Sequence, residues 1–319
     1  MDVKSRNLLT IVGPTAVGKS ETALWLAQEF SGEIISCDSM QVYRGFDLGT
    51  DKPAPEVRKT VPHHLIDIIE PWEQFSAADF ARLAVETAEQ IINRGRLPIV
   101  VGGTGLYHRA LVEGLFPGPG RDPELRKRLR QEATRAGWPS LYQKLKEVDP
   151  EYASRITQSD GIRIIRALEV YYLTGVPLSR QFLRTKSPAR EKGFNLVQIG
   201  LKLNRQELYR RIEARVERMF ALGLVEEVRN LLARGVPETA TPFKGLGYRQ
   251  VLQYLRREIT LAEAIEKTKL ETRHFAKRQL TWFKKTPGIT WFEAQDRPGL
   301  KEFVEMNLNR EKYGKSNSG

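Results

Sequence analysis

One short stretch constrains the fold more than any other. Gly13-Pro14-Thr15-Ala16-Val17-Gly18-Lys19-Ser20 matches the pattern G-x-x-x-x-G-K-[ST]. It lies between an apolar run, Leu8–Val12, and a helical pattern, Lys19–Phe30. Strand, glycine-bounded turn and helix in that order aim backbone N–H groups and the positive end of the helix at one point, which suits phosphate oxygens. Lys19 adds a cation and Ser20 a hydroxyl suited to Mg2+. The expected phosphate-binding residues are Gly13, Thr15, Ala16, Val17, Gly18, Lys19 and Ser20. The loop does not say which phosphate compound binds; a nucleoside triphosphate is the default.

The chain around it alternates in the way a parallel sheet requires. Glu33–Cys37, His64–Ile69 and Leu97–Val101 read as further strands. Residues 76–94 read as a helix, with Ser76 as cap, Asp79 three residues on, and an apolar stripe of Phe80, Leu83, Ala84, Ala88 and Ile91. Strands alternating with helices imply a parallel sheet covered on both faces. After Gly118-Pro119-Gly120 only helical patterns follow, starting at Asp122-Pro123-Glu124 and including Gly161–Thr174. Strand character returns at Phe194–Leu201, followed by a helix capped by Asn204 and Glu207 with Leu208, Ile212, Val216 and Met219 on one face. The expected fold class is α/β: a P-loop-containing parallel sheet with helices on both faces, plus an inserted all-helical domain. The expected boundaries are 1–120 with 191–310 for the core, which includes C-terminal basic helices, 121–190 for the insertion and 311–319 for a polar tail.

Charge separates the same regions. The chain has 51 Lys and Arg against 39 Asp and Glu, net +12. Residues 1–120 carry net −4, residues 121–190 net +7 and the remainder net +9. A basic later part suggests that it holds a polyanion. One cysteine, Cys37, rules out an internal disulfide, and four histidines beside it argue against structural zinc. No run reaches the ~18 apolar residues of a membrane span. The first apolar run comes too early and is too short for a signal peptide, so a cytoplasmic setting is expected.

Two segments should meet the phosphate loop at the carboxyl ends of the strands, where ligands bind in such sheets. Asp38-Ser39-Met40-Gln41 follows the second strand. A carboxylate beside a phosphate site repels the anion unless it binds Mg2+ or takes a proton, so Ser20 and Asp38 are the candidate metal ligands. Gln41 offers both a donor and an acceptor, as an adenine edge requires. Gly102-Gly103-Thr104-Gly105 follows another strand, and three glycines in four residues imply a tight turn or close approach to a ligand. A hydrolytic P-loop protein would carry an acidic metal ligand there; Asp67 is the nearest substitute.

These stretches together resemble the tRNA isopentenyltransferases (tRNA dimethylallyltransferases) of bacteria. The resemblance runs through Gly13–Ser20, Asp38–Tyr43, Gly49–Pro53, Pro62–Asp67, Gly102–Tyr107, Arg163–Glu169, Lys244–Arg249 and Thr272–Phe283, in order over nearly the whole chain. It implies transfer of a dimethylallyl group from dimethylallyl diphosphate to N6 of the adenosine 3′-adjacent to the anticodon, in tRNAs reading codons that begin with U. The loop would then hold a leaving diphosphate, with Mg2+. Asp38 would be the general base, and Thr104 and Arg126 would contact the reacting substrates.

The resemblance also implies that Asp38, Ser39, Met40 and Gln41 read a flipped base, and that Ile162, Arg163, Ile164, Ile165 and Arg166 contact RNA. Position 162 departs from the Gln of many members; Ile cannot hydrogen-bond a base. Residues 262–285 read as a helix carrying Arg273, Lys277 and Arg278, with Trp282 and Phe283 near its end. Cations mixed with aromatics suit a single-stranded anticodon stem-loop, although such aromatics also serve as core. Lys244, Tyr248 and Arg249 carry the same two readings. A monomer without membrane association is expected by family analogy. The rival reading is a P-loop nucleotide or small-molecule kinase, which would need ATP turnover and leaves the basic regions without a role.

Overall fold

The structure, a computed structural model, describes residues 6–116, 118–183 and 185–308. The chain divides into two compact units, Met1–Val112 with Pro188–Gly319, and Glu113–Ser187.

The first unit is built on six strands and their crossover helices. In chain order these are β1 Asn7–Val12, α1 Lys19–Glu29, β2 Gly32–Ser36, α2 Pro55–Thr60, β3 His63–His64, α3 Ala77–Asn93, β4 Leu97–Gly102 and α4 Gly105–Val112. After the second unit, whose helices are α5 Pro123–Ala136, α6 Trp138–Val148, α7 Pro150–Ala153, α8 Gly161–Thr174 and α9 Leu178–Phe182, the chain re-enters the first. There it forms α10 Pro188–Glu191, β5 Asn195–Lys202, α11 Arg205–Ala221, α12 Leu224–Ala233, α13 Tyr248–Leu255, α14 Leu261–Lys284, β6 Ile289–Glu293 and α15 Arg297–Leu308.

The sheet runs β3-β2-β4-β1-β5-β6, and every pairing is parallel. All six residues of β1 are buried, as expected for a strand covered on both faces. Leu8 and Ile35 face a cluster with Phe80, Ala84 and Ile91 of α3 and Leu111 of α4. Leu9, Ile11 and Ile99 face Ala23 and Leu26 of α1, Leu208 and Ile212 of α11, and Leu300 of α15. Ser76 and Asp79 form the capping box of α3. A third cluster joins Val42, Tyr43 and Phe46 to α12 and α13.

Three features differ from the sequence reading. The strand expected at His64–Ile69 is only His63–His64, because Leu65 and Asp67 take φ of 60° and 56° and turn the chain. The edge strand β6 carries no alternating signal, and its residues are half-buried or exposed. The inserted unit spans Glu113–Ser187 rather than 121–190. Gly114, at φ 88°, packs so closely on the Lys186 carbonyl that a side chain would collide, which closes the neck of the unit. The polar tail 311–319 lies outside the described residues.

The second unit has its own core of Leu125, Leu129, Leu141, Leu145, Ile164 and Leu168. Inside it Glu169 is buried and takes hydrogen bonds from Arg126 Nε and Nη2 at 2.7 and 2.8 Å, from Arg166 at 2.6 Å and from the Asp122 N–H at 2.9 Å. Burial opposes ionisation, but these donors hold its pKa down at about 2.

Candidate active site

Strands β1, β2 and β4 end at one level, since Val12 pairs with Gly102 and Ser36 with Val101. The segments that leave those ends line a cavity of about 390 Å³. Thr15, Lys19 and Ser20 come from the phosphate loop, Asp38 to Gln41 from the end of β2, and Gly102 to Thr104 from the end of β4. Gly49 to Asp51, Arg215, Val216 and Met219, Lys244 to Leu246, Tyr248 and Arg249, and Phe275, Arg278 and Gln279 form much of the remaining wall. Five cations (Lys19, Arg215, Lys244, Arg249 and Arg278) face two carboxylates, Asp38 and Asp51.

The phosphate loop has the required backbone. Gly18 caps α1 at φ 104°, and Ala16 sits at φ 64°, a conformation costing an alanine about 1 kcal/mol. Strain of this kind persists where surrounding structure over-determines it. Lys19 Nζ donates to the Pro14 carbonyl at 2.8 Å. Burial, and then the neighbouring Arg215 guanidinium, lower the Lys19 pKa to about 8, against the opposing pull of Asp38 and Asp51. The loop also borders a second cavity of about 440 Å³ lined by Arg210, Arg211, Arg215 and Arg218 of α11.

The Asp38 carboxylate is oriented by the Met40 N–H, which donates to its Oδ1 at 2.8 Å. The next residue is fixed from β4: Ser39 N–H donates to Thr104 Oγ1 at 3.0 Å. The Thr104 hydroxyl in turn donates to Ser39 Oγ at 3.3 Å. Gln279 of α14 joins this side to the phosphate loop. Its Oε1 accepts from the Thr15 N–H at 2.8 Å and its Nε2 donates to the Gly103 carbonyl at 2.8 Å. Gly103 must be glycine for that approach, because a Cβ there would collide with the Gln279 amide.

The Gly49–Asp51 wall is held from behind. Buried Lys52 donates to the Tyr43 carbonyl, Asp47 and Asp67. Glu227 accepts the Asp47 and Leu48 N–H groups at 3.1 and 2.8 Å, and Tyr248 Oη accepts the Gly49 N–H at 3.1 Å while donating to Glu227 at 2.6 Å. Asp51, at φ 53°, lies 3.5 Å from Arg215 and 3.3 Å from Arg218.

The structure gives several of the expected site residues partners within the chain. Gln41 does not present a free edge: its Oε1 accepts from Ser36 Oγ at 2.8 Å and its Nε2 donates to the Thr50 and Asp51 carbonyls. Tyr248 is core, stacked edge-on to Phe46 with its hydroxyl engaged. Phe283 is fully buried, and Trp282 packs on Gly105. Asp67 is paired with Lys52 and Arg58 and does not line this cavity. Ile164 and Ile165 are core of the second unit, whereas Ile162 is 85% exposed beside Arg163. The Arg126 and Arg166 guanidinium groups are engaged by Glu169, which gives both a structural role in that unit.

Arg249 pairs with Glu271 and Arg273 with Glu213. Lys244, Lys277 and Arg278 are exposed and make no ion pair with a described residue. Sequence reasoning passed over Arg215, Gln279 and Glu227. Each is tied to the site by a bond to a distant segment, Thr15 for Arg215 and Gln279 and the Asp47–Leu48 backbone for Glu227, so no local pattern marks them.

Mg2+ fits the donor set only as a shared ligand. Ser20 and Asp38 bring a hydroxyl and a carboxylate to one cavity. No group of three or more His, Cys, Asp or Glu among the described residues could hold a metal ion. Mg2+ characteristically takes one or two protein oxygens, then phosphate oxygens and water.

Comparison with known proteins places the chain in a family. The IPP transferase family profile matches residues 41–286. A tRNA dimethylallyltransferase of Pelotomaculum thermopropionicum is 47% identical over 294 residues, 92% of each chain. The tRNA dimethylallyltransferase 2 of Geotalea uraniireducens is 49% identical over 286 residues, 90% of this chain and 92% of that one. The full-length tRNA isopentenylpyrophosphate transferase of Bacillus halodurans superposes with a TM-score of 0.69 at 41% identity, covering 97% of this chain and 99% of that one. A eukaryotic dimethylallyltransferase solved acting on tRNA gives 0.76 at 27% identity, covering 97% and 80%.

Proposed function

The chain belongs to the IPP transferase family, and from that premise we propose that the cavity beside Gly13–Ser20 is where it carries out its reaction. It is a tRNA prenyltransferase. The donor is dimethylallyl diphosphate, and the acceptor is N6 of the adenosine 3′-adjacent to the anticodon in tRNAs reading codons that begin with U. The protein acts as a monomer. One observation carries the reading: a phosphate loop and an oriented carboxylate, Asp38, share one cavity rimmed by cations.

The chemistry follows from those groups. The N6 lone pair forms a bond to the allylic carbon as the carbon–oxygen bond to diphosphate breaks and its electrons leave with the diphosphate. N6 gains a substituent and must lose a proton, which Asp38 takes; a positioned base contributes about 10²–10⁴-fold. Helix-end amides of the loop, Lys19 and Ser20 stabilise the charge growing on the leaving oxygens, an electrostatic role. Mg2+, held by Ser20 with the diphosphate, would neutralise part of that charge and leave the Asp38 carboxylate to take the proton. Val216, Met219 and Phe275 supply apolar wall for the prenyl group. Thr104 keeps Ser39, and so Asp38, in register. Lys244, Lys277 and Arg278 meet RNA phosphates.

Incubation with labelled dimethylallyl diphosphate and unmodified tRNA, without ATP, tests the reading. Label in the tRNA supports it; no transfer, or transfer only with ATP, contradicts it.

A further inference from the structure

Gln279 belongs to none of the groups that would touch the reacting atoms, yet it is the side chain that joins the two halves of the cavity. It is buried on α14, one face of its amide on the phosphate loop and the other on the turn after β4. Following the hydrogen bonds gives one connected path. The Thr15 N–H donates to Gln279, Gln279 donates to the Gly103 carbonyl, and the adjacent Thr104 hydroxyl holds the N–H of Ser39, next to Asp38. Arg215 also reaches the phosphate loop, at Thr15 Oγ1, but its other contact is to Asp51 rather than to the Gly102–Thr104 turn.

We propose that Gln279 is a positioning residue that fixes the separation between the cradle of the leaving diphosphate and the Asp38 side of the cavity. The inference rests on the transferase reading above and assigns the residue that sets its geometry. A displacement at the allylic carbon needs nucleophile and leaving group in line, with reacting atoms about 3–3.5 Å apart, and a misplacement of 1 Å can cost about 10²-fold. A side chain acting only on that separation changes the rate of the bound complex more than the affinity for either substrate. Buried amides also leave little slack. Losing Gln279 leaves the Thr15 N–H and the Gly103 carbonyl to find new partners, and the two loops are then free to relax apart.

Two variants separate this from a general structural role. Gln279→Met keeps the length and loses both hydrogen bonds. Gln279→Glu keeps an acceptor for the Thr15 N–H but meets the Gly103 carbonyl with an oxygen. Single-turnover transfer at saturating labelled dimethylallyl diphosphate and tRNA is compared with calorimetric Kd values for inorganic diphosphate and for tRNA. The expected result for both variants is a rate lower by about 10–100-fold, with each Kd within about threefold of the unaltered protein. Two results overturn the inference: a rate within about twofold in the variant that folds, or a rate loss fully matched by weaker diphosphate or tRNA binding. Absence of transfer by the unaltered protein would instead fail the transferase reading itself.

Discussion

At the scale of single residues, Lys19 and Asp38 decide what the cavity can do. Lys19 is held by burial and by Arg215 at a pKa of about 8, below the usual 10.5. An anion in the loop favours the charged form, so binding above pH 8 must take up a proton. Affinity for inorganic diphosphate should therefore fall as pH rises through 8. Lys19→Met, measured by calorimetry over the same range, should lose that component and retain only the titration of diphosphate itself. The stability sign is the reverse: with the folded pKa below the unfolded one, the empty protein gains stability as pH rises from about 8 toward 10.5. Asp38 works differently. Its carboxylate is oriented by one backbone N–H, so Asp38→Ala removes the base without disturbing a core. Transfer should fall by at least about 10²-fold while tRNA binding measured by filter retention stays intact. Near-normal turnover would remove Asp38 from the mechanism.

Elements show why some of the site was legible in the sequence and some was not. The phosphate loop, the cap of α3 and the apolar face of α11 are local patterns, and each forms where its residues predict. Strand β3 is shorter than its apolar run, because two positive-φ residues end it. Gln41, Tyr248 and Phe283 have side chains that suit RNA equally well, and only the folded chain reveals that each is already occupied. The Arg126–Glu169 pair is the clearest case. A lone arginine after a helix cap reads as solvated or catalytic, but here it neutralises a carboxylate with no exposed surface. Removing Arg126 takes two charged hydrogen bonds from Glu169 but leaves it Arg166 and the Asp122 N–H. Arg126→Ala should destabilise the second unit by about 2 kcal/mol in urea unfolding. Glu169, at about 2 folded against the usual 4.5, contributes stability above pH 4.5 that is lost as pH falls toward 2.

Across the whole molecule, the sequence's uneven charge finds a use. Residues 1–112, net −3, and residues 188–319, net +10, form one unit, where the later segment supplies four of the five cations on the cavity wall. No helix among the described residues is long and apolar enough to cross a membrane. Lys277→Ala and Arg278→Ala should each weaken tRNA binding and lower the slope of log K against log salt by roughly 0.7–0.9. The central claim is that one cavity brings a prenyl diphosphate on the phosphate loop within reach of an adenine amine beside Asp38. A crystal structure with an unreactive thiolo analogue of dimethylallyl diphosphate and an anticodon stem-loop tests it most directly. The account predicts diphosphate oxygens on the Gly13–Ser20 amides and Lys19, with the purine N6 in hydrogen-bond reach of Asp38. Diphosphate bound elsewhere, or Asp38 turned away from the purine, would contradict it.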